Sequence, residues 1–232
     1  MHLTLEKVVI RHEDWALSCD ATFTPGIHLI TGRIGAGKSS LAEVMTGVAQ
    51  PAEGRVCLDG IKKTMLSLQF PEYQITQRTI HEEAVSWGVD PDLILTEARL
   101  TGMEQRDPLT LSRGEQKRLQ LTCILASNHD LLVLDEPLSS LDCVEKERVC
   151  KRLGERQGKI TILFTHEQWT FPRVDMIWEI RDHQLVCCGP VPEGITTWQT
   201  APPPVLMLRH AGVVPKNLTP EDLKEAACRI NG

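Results

Sequence analysis

Gly32-Arg33-Ile34-Gly35-Ala36-Gly37-Lys38-Ser39 has the spacing GxxxxGK[ST]. Glycines so placed let the main chain curl until its N–H groups converge on phosphate oxygens, and a helix that starts just after them adds its positive N-terminal end. In that chemistry Lys38 brings a cation to the β- and γ-phosphates of a nucleotide, Ser39 offers a hydroxyl to Mg²⁺, and Ser40 meets the α-phosphate. A second site candidate is LLVLDEP at 131–137, which sets Asp135 and Glu136 at the end of an apolar run. Ligands of open α/β sheets lie outside the carboxyl ends of the strands. There Asp135 can hold Mg²⁺ through water and Glu136 can polarise an attacking water as a general base. Alone, Asp-Glu-Pro after a strand is usually a helix-entry turn; the phosphate loop upstream decides for chemistry.

These residues need strands behind them and helices after them. VVI at 8–10, the alternation of Leu17, Cys19, Ala21 and Phe23, and IHLIT at 27–31 predict strands, and the segment from Lys38 to Gly47 predicts a helix. RVCLDG at 55–60 and MLSLQ at 65–69 predict two more strands, the second ending at Gln69. Helical segments follow at 77–87, 91–102 and 113–127, then strands at 131–135, 160–164 and 176–180 around a helix near 141–154. That alternation implies a mostly parallel sheet covered on both faces, with the middle helical block as an inserted subdomain. RDHQLVCCG at 181–189 reads as a hairpin and return strand, APPP at 201–204 as a break, and Thr219-Pro220-Glu221-Asp222 as the capped start of a final short helix.

Composition allows one large domain with a small appendage: 232 residues, 41% hydrophobic but only 4% aromatic, so the core must be mainly aliphatic. The net charge of −6 and the lack of any basic block argue against a nucleic-acid surface. No apolar run approaches the roughly 18 residues that span a bilayer, so any membrane link is expected through a partner. The N-terminal segment MHLTLEKVVI lacks a secretory apolar region. The eight cysteines form no CxxC pair and read as free cytosolic thiols, with metal or redox roles as the alternative.

Leu111-Ser112-Arg113-Gly114-Glu115 with Gln116-Lys117-Arg118 resembles the LSGGQ signature and basic continuation of the ATP-binding cassette (ABC) family. Ser139-Ser140-Leu141-Asp142 resembles its D-loop, Phe164-Thr165-His166-Glu167 its switch-histidine segment, and Gln69 its Q-loop glutamine. By its residues alone, Ser112 with Glu115 is a capping box opening a helix. The resemblance, spanning roughly residues 3–190, implies an α/β P-loop NTPase fold: a RecA-like core with a mostly parallel sheet, an N-terminal antiparallel β subdomain and an inserted helical subdomain at about 72–127. The cassette would occupy 1–200 and a short helical extension 201–232. It further implies ATP and Mg²⁺ as ligands, and hydrolysis of ATP to ADP and phosphate. Gly32 through Ser40, with His12 as the best match to the base-stacking aromatic and Trp15 close by, would bind the nucleotide. Ser39, Gln69 and Asp135 would serve the metal; Glu136, His166 and Gln69 the reaction. Ser112, Gly114 and Asp142 would act across a dimer, identical or mixed, on the nucleotide held by a second ATPase subunit. Arg113 and Glu115 depart from the signature: Arg113 would be strained if its position needs φ > 0, yet its charge could attract phosphate.

Gln69-Phe70-Pro71-Glu72-Tyr73-Gln74 with Thr79-Ile80, and the tail from Pro204 to Leu223, resemble the cobalt and energy-coupling factor ATPases. That implies the motor of a membrane importer for a metal ion or a vitamin. It would lie on the inner face of the cell membrane, held by a transmembrane coupling subunit near Gln74. Two other readings stand beside it: a soluble non-transport ABC ATPase, and a catalytically weak regulatory partner cassette.

Overall fold

A computed structural model of the chain describes residues 1–13 and 15–230, so the last two residues of the expected 201–232 extension lie outside the described residues. In chain order the strands are β1 (His2–His12), β2 (Trp15–Phe23), β3 (Gly26–Gly32), β4 (Glu53–Asp59), β5 (Thr64–Ser67), β6 (Leu131–Asp135), β7 (Ile160–Phe164), β8 (Met176–Arg181) and β9 (Gln184–Pro190). They form one sheet of order β4-β1-β2-β9-β8-β3-β7-β6-β5. From β5 to β8 the pairing is parallel. The strands β1, β2 and β4 pair antiparallel and continue the same sheet, because β2 meets β9 at Ser18 and Gln184.

The central strands are buried on both faces, and their period of two sorts side chains into two cores. Leu29, Leu132, Leu134 and Leu163 face one, and Ile30, Val133, Ile162 and Phe164 the other. Helix α1 (Lys38–Thr46) covers the second face together with β1 and β2. Helix α5 (Cys143–Gly154) covers the first, helped by Leu121 and Ile124 of α4 (Arg113–Ala126). Helices α2 (Ile80–Ser86) and α3 (Pro91–Glu97) pack with α4 around a third cluster of Ile80, Ile94, Leu95 and Leu119. After β9 come α6 (Glu193–Thr197), α7 (Pro203–His210) and α8 (Pro220–Cys228). As expected, the core is mostly aliphatic, and Cys19, Cys123 and Cys150 are packed in it, where burial pushes their thiols up to about 12.

Several boundaries differ from the sequence reading. The strand expected to end at Gln69 stops at Ser67. The helix expected at 91–102 stops at Glu97, because Arg99 turns left-handed at φ 55° and the Leu100 N–H bonds back to the Leu95 carbonyl. The APPP segment opens α7 as well as breaking the chain: Pro202 stands at the cap and Pro203 at the first helical position, where a missing N–H costs nothing. Helix α6 had no sequence signal. Within the tail, Val205, Leu208, Leu218 and Leu223 are buried in the same core as Leu29 and Leu134.

Candidate active site

The ends of β3, β6 and β7 and the start of α1 converge on a cleft of about 610 Å³. Gly35 and Gly37 adopt φ 79° and 93°, the left-handed backbone that lets the loop fold over itself. Gly37 caps α1 without a side chain, so the first N–H groups of the helix remain open to an anion. A Cβ on Gly37 would lie 2.2 Å from the Trp15 ring, which lies across the loop and donates its indole N–H to the Gly35 carbonyl at 3.1 Å.

Lys38 is buried, and its ammonium donates to the carbonyls of Gly32 and Arg33 at 3.1 Å each. Burial lowers its pKa, opposed by Glu136 and Asp135 nearby. Ser39 donates its hydroxyl to Asp135 at 2.6 Å, which puts two of the three expected metal-binding residues in contact. With the Gln69 amide in the same cleft, the donor set is hard oxygen, and these residues fit a Mg²⁺ ion completed by phosphate and water.

Glu136 sits just past β6 with φ 47°, a left-handed conformation that costs a glutamate about 1 kcal/mol. One carboxylate oxygen accepts from the His166 N–H at 3.2 Å and the Thr165 hydroxyl at 3.3 Å. The other is buried and has no hydrogen-bond partner among the described residues; the His166 ring nitrogen stands 3.7 Å away. Burial raises the pKa of Glu136, and Asp135 adds to the rise, while the His166 N–H and Lys38 oppose it. A half-buried base with one open oxygen can take a proton from water. Burial and then Lys38 lower the His166 pKa, which favours the neutral ring.

Of the residues singled out in the sequence, His12, Ile34, Gly35, Gly37, Lys38, Ser39, Ser40, Gln69, Asp135, Glu136 and His166 line the cleft. Gly32, Arg33 and Ala36 belong to the loop behind it. His12 bonds Ser40 at 3.1 Å and meets Trp15 edge-on at 5.1 Å, so the two base-stacking candidates stand side by side. Ser112, Gly114 and Asp142 are not part of the lining. Ser112 caps α4 in a full capping box, its N–H and hydroxyl donating to Glu115 at 2.9 and 2.7 Å. Asp142 caps α5 by accepting from the Glu145 N–H at 2.9 Å. Arg113 opens α4 in helical conformation, so the strain considered for it is not present. Gly114 lies against the D-loop-like turn: a Cβ there would come 2.9 Å from the Ser140 carbonyl.

Three contributors escaped the sequence reading as site residues. Ser139 lines the cleft and donates to the Glu136 carbonyl at 2.8 Å. Thr165 holds the Glu136 carboxylate, and its place one residue after an apolar strand was the available signal. Lys117 is buried beneath the Gln69 loop, although its polar surroundings in the sequence suggest an exposed helix face.

The sequence signature described as ABC transporter matches residues 20–139. The energy-coupling factor transporter ATP-binding protein EcfA1 of Thermotoga maritima is 32% identical over 213 residues, covering 82% of each chain. The thiamine import ATP-binding protein ThiQ of a Jannaschia species is 29% identical over 217 residues, covering 83% of this chain and 95% of that protein. Among solved structures, a dimeric post-hydrolysis ATP-binding cassette bound to ADP and Pi superposes with a TM-score of 0.68 at 20% identity, covering 79% of this chain and 96% of that one.

Proposed function

The chain belongs to the ABC transporter family and is an ATPase subunit of a transporter, and from that premise we propose that it drives an energy-coupling factor type importer of a metal ion or vitamin. One observation carries the hydrolytic part: Lys38, Ser39, Gln69, Asp135, Glu136 and His166 converge on a single cleft from four separate stretches of chain. In this reading the N–H groups of residues 35–40 and the Lys38 ammonium cradle the phosphates of ATP. His12 and Trp15 supply the wall for the base. Ser39, Asp135 and Gln69 would hold Mg²⁺, which draws charge from the phosphate oxygens. The open oxygen of Glu136 orients and deprotonates the attacking water, while His166 and Thr165 fix the other oxygen. Ser112 and Gly114 then close on the nucleotide of a second ATPase subunit, and the free energy that separates closed from open dimers does the mechanical work.

The importer type rests on the Gln69–Gln74 segment and on the EcfA1 relative. Residues Pro71–Tyr73 form a short 3-10 helix that leaves Phe70 and Tyr73 exposed, an apolar pair suited to a membrane partner. No helix among the described residues is long and apolar enough to cross a membrane, and in this reading a transmembrane partner carries the cargo. The cargo itself stays open between metal ion and vitamin.

Lys38→Ala and Glu136→Gln test the site together. The first is expected to lose measurable ATP binding in a fluorescent-nucleotide titration. The second is expected to keep binding, lose turnover by about a thousandfold, and run as an ATP-trapped dimer in size-exclusion chromatography. Unchanged ATP affinity in Lys38→Ala overturns the phosphate-loop assignment. Purification from native membranes with integral membrane subunits is expected, and recovery of the chain without any counts against the importer reading.

A further inference from the structure

We propose that Lys117 is a positioning residue for hydrolysis, clamping the backbone that carries Gln69 to the helix that begins with Ser112. The Lys117 side chain is almost wholly buried at 1% exposure. Its ammonium donates to the main-chain carbonyls of Leu68 at 3.0 Å and Gln69 at 3.1 Å. It has no ion-pair partner among the described residues. Burying an ammonium costs far more than burying a methionine of similar length, so the two carbonyl bonds are what the charge contributes.

The rest of the loop is bracketed from the same helix. Gln74 accepts from the Leu68 N–H at 2.9 Å and donates to the Leu66 carbonyl at 2.7 Å. Gln120, one turn beyond Lys117 in α4, donates to the Gln74 side chain. Gln69 at the cleft and Ser112 at the start of α4 are therefore held by one rigid element, and a shift of either displaces the other. Acidic groups face the ammonium from two sides: Asp135 and Glu136 from the end of β6, and Glu72 from the 3-10 helix. On α4 itself Glu115 and Arg118 flank it in sequence. Desolvation brings the Lys117 pKa down to about 8, with those three carboxylates opposing the fall.

The kinetic part rests on the ATPase reading; a structural measurement does not. Lys117→Met and Lys117→Arg are made in the full chain. Hydrogen exchange is expected to quicken about tenfold or more at amides 68–74 in the Met variant while the later turns of α4 stay protected. Steady-state assays are expected to show kcat about tenfold lower with KM for Mg-ATP within twofold, and recovery in the Arg variant. Unaltered exchange at 68–74 in the Met variant, or a kcat unchanged by it, overturns the proposal. If Met does not fold, Lys117→Gln takes its place, and unaltered exchange at 68–74 in that variant overturns the proposal equally. A wild type without turnover defeats the ATPase reading and leaves the exchange result to decide the clamp.

Discussion

Single residues set the chemistry through their surroundings. Glu136 can accept a proton only when ionised, and burial raises its pKa above the ordinary value of 4.5. It is therefore protonated and idle over a wider acid range than an exposed glutamate. The pH profile of kcat/KM for Mg-ATP is expected to rise along an acid limb centred above 4.5. A limb centred at or below that value places the base elsewhere. The place of Glu136 in the cleft was legible from LLVLDEP, since an apolar strand ending in two carboxylates has few other uses beside a phosphate loop. The roles of Ser139 and Lys117 were not legible. A serine in a turn and a lysine in a polar helix are ordinary surface residues until the fold brings a carbonyl within reach.

Elements fix how those residues meet. Helix α4 opens on the Ser112 capping box and passes Gly114 under the Ser140 carbonyl. In an open helix, glycine to alanine gains up to about 1 kcal/mol. Here the new methyl would stand 2.9 Å from a main-chain oxygen. Gly114→Ala is accordingly expected to show no rise in thermal stability and a fall in ATPase rate of about tenfold, as the turn before Asp142 is pushed aside. A higher melting temperature with full activity contradicts that contact. Fully buried β6 and β7 were readable to the residue, because four of the five side chains in each are apolar, as fits a two-sided strand. The end of α3 was not readable, since it depends on Arg99 entering the left-handed region, and nothing in the arginine itself asks for that.

Across the whole molecule, one core joins the catalytic strands to the tail. Leu208 of α7 and Leu223 of α8 share it with Leu134 and Leu163. The Trp198 indole, fully buried, donates to the Thr31 hydroxyl at 2.7 Å, one residue before the phosphate loop. Leu208→Ala is expected to destabilise the entire chain by about 2–5 kcal/mol in a single denaturation transition, as a core leucine would. A separate, early transition for the tail would contradict this shared core. Global stability also sums an adverse local contribution, the left-handed backbone at Glu136. On the role proposed for Glu136, a laboratory selection for heat resistance alone that placed glycine there would hand back a sturdier cassette that can grip its fuel but no longer burn it.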